Sequence, residues 1–288
     1  MKEMGWKLMI DRLALLFTLA PVTRGFFAMM ISGVSFPLCG VMLLRLDLIP
    51  MRYMLMHGVI LGGAISLALS LPVLPVSLVI NCLLIFMMIF LTRKQSFGFS
   101  GASAGAMVFS MALASIIMHV KDVPAKDTLS LMWGSPFALT ITDIIILALL
   151  ALLLFLYIIF NFRNILSIFF NMEIAQSLGV KVHFHRSFMV FVIALVVALA
   201  MKLLGAFLVD SLLILPVLTA SSLAGKKFKG IKKLFLVSSI AGLLISVSGY
   251  LLAIAINWPP SASISLVSGF VFLLSSLKNK ISFGRKLK

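Results

Sequence analysis

The chain has 288 residues, 62% of them hydrophobic and 11% charged, with a mean hydropathy of +1.21; soluble domains carry about 45–50% apolar and about 25% charged residues. So little polar surface excludes a water-facing globule, and nearly uncharged runs longer than about 18 residues, enough to cross a bilayer, recur along the chain. The formal net charge of +16 sits in short Lys/Arg clusters between apolar runs, the arrangement that orients membrane proteins, and not on a basic face built to track phosphates, so nucleic acid is excluded as a partner.

Residues 1–22 contain Lys2, Lys7, Asp11 and Arg12 and read as an amphipathic arm lying on the membrane surface, not as a cleavable signal. Nine apolar runs follow, at 25–44, 54–71, 73–92, 101–119, 139–161, 186–201, 203–224, 234–256 and 262–277. Pro72 and Pro75 mark a hairpin between the second and third, and Pro259 and Pro260 another before the ninth. The runs within 186–224 are short for two crossings and would also suit one crossing plus broken half-helices lining a cavity. Residues 278–288 form a basic tail. The expected fold is therefore an all-α polytopic membrane helix bundle with eight or nine spans, forming one domain over residues 1–288.

Alternating the loops groups Arg45 and Arg52, Arg93 and Lys94, Arg163, Lys181 and Arg186, the run from Lys226 to Lys233, and the tail on one side; the other side holds Lys121 and Lys126, balanced by Asp122 and Asp127, and Lys202. The first set is cytoplasmic by the positive-inside rule. Odd parity then puts the N-terminus outside, against the basic charge of its own arm, which a surface-lying helix would reconcile.

No nucleotide-binding or hydrolytic signature occurs. Gly225, Lys226 and Lys227 lack the upstream glycine spacing and the Ser/Thr of a phosphate-binding loop, and neither His-Glu-x-x-His nor Gly-x-Ser-x-Gly is present. The chain thus reads as a transport component with no catalytic residue and no permanent cofactor. Polar groups inside spans are then informative, because ionisable side chains in a bilayer are costly and mostly functional. His57, at the start of the second span, offers an imidazole suited to a transition metal, or else a hydrogen bond at a helix end. Asp210, inside LLGAFLVDSLLILP, is either a cation-binding carboxylate or a partner to a neighbouring helix. His119 reads as interfacial, and His183 and His185 as exposed loop residues. Met51, Met54 and Met56 beside His57 suit a soft cation or simple packing. Cys39 and Cys82 look like small core residues, and the pairs Gly58/Gly62 and Gly101/Gly105 like close-packing faces.

Several stretches together resemble the permease subunit of ABC importers for zinc, manganese or iron. Residues 203–224 (LLGAFLVDSLLILPVLTASSLA) resemble that family's Gly-x-Leu-Leu-Val … Leu-Leu-Ile-x-Pro run. Residues 172–182 (MEIAQSLGVKV) resemble its acidic-x-Ala-x-x-x-Gly segment, residues 129–135 (LSLMWGS) its Leu-x-x-Gly-Asn/Ser segment, residues 258–269 its late proline turn, and Pro37 to Arg45 the end of its first span. The family's second span begins Gly-Asp-x-Leu-Ser-His; here His57 matches the histidine, Tyr53 stands at the aspartate and Met56 at the serine, while Asp210 replaces a serine of the seventh span and Ser261 the glycine of the late turn.

The resemblance implies a type II importer-like permease in the cell (inner) membrane. It would pass a divalent metal ion by alternating access, using ATP hydrolysed by a separate cytoplasmic ATPase. The further partners implied are an extracytoplasmic metal-binding protein, a second permease copy and membrane lipid. The segment with Glu173, Ala175 and Gly179 would be the ATPase contact, a short helix stopped by a glycine. Asp210 would replace the missing aspartate and join His57 as a metal ligand. The alternatives are a siderophore or vitamin permease, which needs no side-chain ligands and which Tyr53 favours, an ion-coupled secondary transporter, and a non-transporting membrane subunit.

Overall fold

The computed structural model describes residues 15–94, 98–124, 126–127, 134–224 and 230–284. Its main elements are α1 (Ala20–Arg45), α2 (Ile49–Leu69), α3 (Val73–Lys94), α4 (Gly98–Val120), a 3-10 turn (Pro136–Ala138), α5 (Ile141–Phe170), α6 (Met172–Ser177), α7 (Val182–Leu204), α8 (Ala206–Ala224), α9 (Ile231–Ile256) and α10 (Pro260–Gly284). Among the described residues nine helices, all but α6, are long and apolar enough to cross a membrane. Residues 1–14 of the expected arm at 1–22, most of the Leu-x-x-Gly segment, residues 225–229 with Lys226, Lys227 and Lys229, and the last four residues lie outside the described residues, and the end of that arm belongs to α1, which starts at Ala20.

The nine runs read from sequence each become one helix. The notion of half-helices within 186–224 gives way to α7 and α8, with 23 and 19 residues, separated only by Gly205. At about 1.5 Å per residue both approach the roughly 30 Å of a bilayer core. Gly205 makes the break, since its φ of 88° and ψ of 151° lie in a region open essentially to glycine alone. α5 extends nine residues beyond its predicted end through a kink at Asn161 (φ −109°, ψ 15°). The Asn161 side-chain Nδ2 donates to the Tyr157 carbonyl (3.3 Å), the acceptor that an unbroken helix reserves for backbone. At its other end Thr140 and Asp143 close a reciprocal cap: Thr140 N and Oγ1 donate to Asp143 Oδ2 (2.8 and 2.7 Å) and Asp143 N donates to Thr140 Oγ1 (3.2 Å).

The chain forms two compact units. The first takes α1 up to Val41, the 3-10 turn, α5 up to Phe155, and α8, α9 and α10. Small residues let its helices meet. A Cβ at Gly33 would overlap Ser246 and the Gly242 carbonyl, one at Gly242 would overlap the Gly33 carbonyl and the Pro37 ring, and one at Gly40 would overlap the Leu213 carbonyl. Glycine on glycine at the α1–α9 crossing replaces the hydrophobic drive that lipid removes with close van der Waals contact. Tyr250 is fully buried there; its hydroxyl donates to the Val22 carbonyl (2.8 Å), and the rings of Phe26 and Phe137 lie 6.3 and 5.7 Å from its own. α10 is tied to α8 by serine hydroxyls, Ser265 Oγ donating to Phe207 O (3.3 Å) and Ser268 Oγ to Ser211 O (3.3 Å).

The second unit takes α2, α3, α4, the rest of α5, α6 and α7. Gly58 and Gly62 make the α2–α3 crossing, against Asn81 and Leu84 and against Ser77. Leu61 and Ala64 of α2 pack on Ala114 of α4, with Ile60, Ile80, Leu113 and Ile117 around them, and α7 packs on both α2 and α3. The second glycine pair behaves differently. Gly101 and Gly105 are exposed and a Cβ at Gly105 meets nothing, because α4 turns Ala102, Ser103, Ala106, Ser110 and Ala114 inward. Cys39 is buried as expected, whereas Cys82 is exposed on the outer side of α3 beside Leu83 and Phe86.

Candidate functional site

The segment matching acidic-x-Ala-x-x-x-Gly folds as α6, held at both ends by its own sequence. At its start Asn171 Oδ1 accepts from Glu173 N (2.8 Å) and Ile174 N (3.0 Å), a side-chain cap on otherwise unpaired donors. At its end Gly179 N donates to Gln176 O and Val180 N to Ala175 O (both 3.0 Å), with Gly179 at φ 82°, a closure that needs a left-handed residue. Ala175 is fully buried as α6 packs on α7, while Glu173 is exposed and Ile174 and Leu178 are 47% and 72% exposed. The three candidate residues therefore divide their work: Ala175 seats the helix, Gly179 ends it, and Glu173 faces outward with two apolar neighbours.

His57 lies in the third turn of α2, half-buried. Its Nδ1 donates to the Tyr53 carbonyl (2.8 Å); a carbonyl only accepts, so the proton sits on Nδ1 and the Nε2 lone pair is left for a ligand. Tyr53, where the resemblance expects a carboxylate, is exposed and carries the Arg52 guanidinium over its ring at 4.3 Å. This turn thus offers a cation–π pair, and its positive charge opposes a second cation. Met51 and Met54 are fully buried and pack as core, which leaves Met56 alone half-buried beside His57. Asp210 lies half-buried in the second turn of α8 between the buried Val209 and Ser211, in the first unit, whereas His57 belongs to the second. Among the described residues there is no group of three or more His, Cys, Asp or Glu placed to hold a metal ion.

Two matched segments meet within the second unit. Gly134, the glycine of the Leu-x-x-Gly segment, has a φ of 52°, and a Cβ on it would overlap the Leu204–Gly205 peptide. The break at Gly205, within residues 203–224, is therefore covered by the glycine of residues 129–135. Composition could not link them, because the contact is backbone on backbone.

The histidines read as uninformative differ in fate. His119 is exposed in the last turn of α4 and His183 is exposed at the start of α7. His185 is no loop residue: it sits half-buried in the first turns of α7, with Asn164 Nδ2 donating to its Nε2 (3.1 Å) and the Tyr157 hydroxyl donating to its carbonyl (3.4 Å).

The ABC 3 transport family matches residues 20–279 of the chain. The high-affinity zinc uptake system membrane protein ZnuB of Buchnera aphidicola subsp. Acyrthosiphon pisum (strain APS) is 27% identical over 228 residues, covering 78% of this chain and 84% of that protein. The manganese import system permease protein ScaB of Streptococcus gordonii is 28% identical over 219 residues, 76% of this chain and 77% of that one. Among solved structures, PsaBC from Streptococcus pneumoniae in complex with Fab superposes with a TM-score of 0.77 at 22% identity over 92% of this chain and 94% of its own, a likeness of fold. With nine membrane-length helices among the described residues and a match running through all of them, the chain belongs to the ABC 3 transport family as a multi-pass membrane permease.

Proposed function

We propose that this permease imports a divalent transition metal ion of the zinc and manganese class. The cargo class follows ZnuB and ScaB, which are named for zinc uptake and manganese import. The observation that carries the coupling half of the reading is α6. A permease without a nucleotide-binding sequence must receive its driving force at a contact, and α6 is a preformed helix with Glu173, Ile174 and Leu178 turned outward. A cytoplasmic ATPase would press on this helix, an extracytoplasmic binding protein would deliver the ion, and a second copy of the chain would complete the pathway as access alternates.

On this reading His57 and Asp210 are each candidate ligands on the ion's path: His57 offers a ring nitrogen through Nε2, and Asp210 offers a carboxylate, which the position of Tyr53 lacks. A carboxylate also offsets part of the ion's charge where water is scarce. The test is radiolabelled zinc or manganese uptake by the transporter assembled with its ATPase and binding protein, compared at equal membrane abundance. His57→Ala and Asp210→Asn are each expected to reduce uptake at least tenfold, and Glu173→Arg to abolish ATP-dependent uptake. Full ion uptake by both ligand variants would overturn the ion-binding assignment in favour of a cargo needing no side-chain ligands, and uptake without any ATPase would overturn the importer reading.

A further inference from the structure

Between the membrane part of α5 and the start of α7 the chain makes a hairpin: residues 162–170 beyond the Asn161 kink, then α6, then residues 178–181. Whatever α6 receives must leave this hairpin along α5 or along α7. Two side-chain contacts between this region of α5 and the rest of the unit fall on the first turns of α7. Asn164, beyond the kink, donates from Nδ2 to His185 Nε2 at 3.1 Å. Tyr157, before the kink, reaches the His185 carbonyl only at 3.4 Å and otherwise touches α7 through its ring, 4.8 Å from that of Phe188. A hydrogen bond near the distance limit and a ring contact tolerate sliding, whereas a shorter side-chain bond fixes position. Asn161 meanwhile has left helical geometry, so the two parts of α5 are joined at a point already bent. Next to His185, the Arg186 guanidinium lies 4.4 Å over the Phe99 ring of α4, a contact that anchors α7 independently of α5.

We propose that residues 162–181 and the first turns of α7 move as one body, locked by Asn164 and His185 and hinged on α5 at Asn161, so that α7 carries the movement of α6 into the membrane. This rests on the reading that α6 receives the ATPase's movement. Asn164 and His185 are then positioning residues: they touch no cargo and act through the hairpin. α7 leads straight into Gly205, so the lever ends at the break that separates α7 from α8.

Two measurements on the assembled transporter test it. At equal membrane abundance His185→Ala and Asn164→Ala are expected to lower the ratio of metal imported to ATP hydrolysed at least fivefold, while His185→Gln, which keeps a side-chain acceptor, stays within twofold of the parent. Ratios unchanged in both alanine variants would overturn the proposal, as would a His185→Gln variant as poorly coupled as His185→Ala. The second measurement uses a Cys39→Ala, Cys82→Ala background and a short bifunctional thiol reagent. Linking Asn164→Cys to His185→Cys is expected to leave ATP-dependent uptake within twofold, because the bodies joined already move together. Linking Tyr157→Cys to Phe188→Cys, which leaves Asn164 and His185 in place, is expected to stop uptake that the unlinked variant retains, because it bridges the hinge. Uptake lost on the first linkage, or kept on the second, would overturn the proposal. The linkages report relative movement whatever drives it, so normal uptake by Glu173→Arg would reject α6 as the input without deciding the lever.

Discussion

Three glycines with positive φ differ in what surrounds them, and the difference sets a graded outcome for replacement by alanine. Gly179 has a φ of 82° and open space around an added Cβ, so Gly179→Ala costs only the backbone penalty of a left-handed L-residue, about 1–2 kcal/mol, confined to the end of α6. Gly205, with φ 88° and ψ 151°, occupies a region closed to other residues, which costs about 1–3 kcal/mol. Gly134 carries the left-handed penalty and also faces the Leu204–Gly205 peptide, atoms that cannot rotate aside as a side-chain end can. Overpacking adds about 1–3 kcal/mol, for a total of about 2–5 kcal/mol. The assay is the thermal unfolding midpoint of each purified variant in one detergent, with membrane abundance measured in parallel. Gly134→Ala is expected to lower the midpoint at least about twice as far as Gly179→Ala, with Gly205→Ala between them. A Gly134→Ala protein as stable as Gly179→Ala would refute the claim that the two matched segments meet backbone to backbone.

Tyr250→Phe removes a buried hydroxyl that donates to Val22 and should destabilise by about 0.5–1.5 kcal/mol, read as a lower unfolding midpoint; an unchanged midpoint would contradict that bond. Gly33→Leu should sharply reduce the amount of folded permease by forcing α1 off α9, whereas Gly105→Leu, with open space around it, should be tolerated; equal levels of the two would count against the crossing. Cysteines introduced at Ser177 and Lys126 should react with an impermeant thiol reagent only from the cytoplasmic and only from the outer side respectively, in a background lacking Cys39 and Cys82; labelling of Ser177 from outside would reverse the orientation read from the Lys/Arg loops.

The spans were legible because a bilayer demands long uncharged runs, and the described residues supply nine of them. Their ends were less so. The α5 run stops at Asn161 in hydropathy but not in helix, since the Asn161 side chain replaces one backbone bond and the helix resumes through Arg163 and Asn164. Gly58/Gly62 and Gly101/Gly105 share one spacing, yet only the first pair packs within the second unit, because the rotation of each helix is set by larger neighbours. His185 went unread for a related reason: two histidines in a basic stretch carry no signal until Asn164 and Tyr157, far away in the chain, are brought to one of them. That residues 172–177 form a short helix stopped by Gly179 was legible because its cap Asn171, its seat Ala175 and its stop lie within one short stretch.

A free peptide of six residues does not hold a helix in water, because the first turn fixes several residues for a single bond. α6 is exempt, since Asn171 satisfies its first donors, Gly179 and Val180 its last acceptors, and Ala175 pins it to α7. A protein surface that receives it meets a shape already ordered, and the conformational entropy otherwise lost on docking has been lost in folding. Two consequences follow for recognition. If α6 is the ATPase contact proposed above, affinity there depends on what the exposed Glu173, Ile174 and Leu178 side chains touch. Loosening Asn171 or Gly179 would weaken docking without removing a single contacting atom.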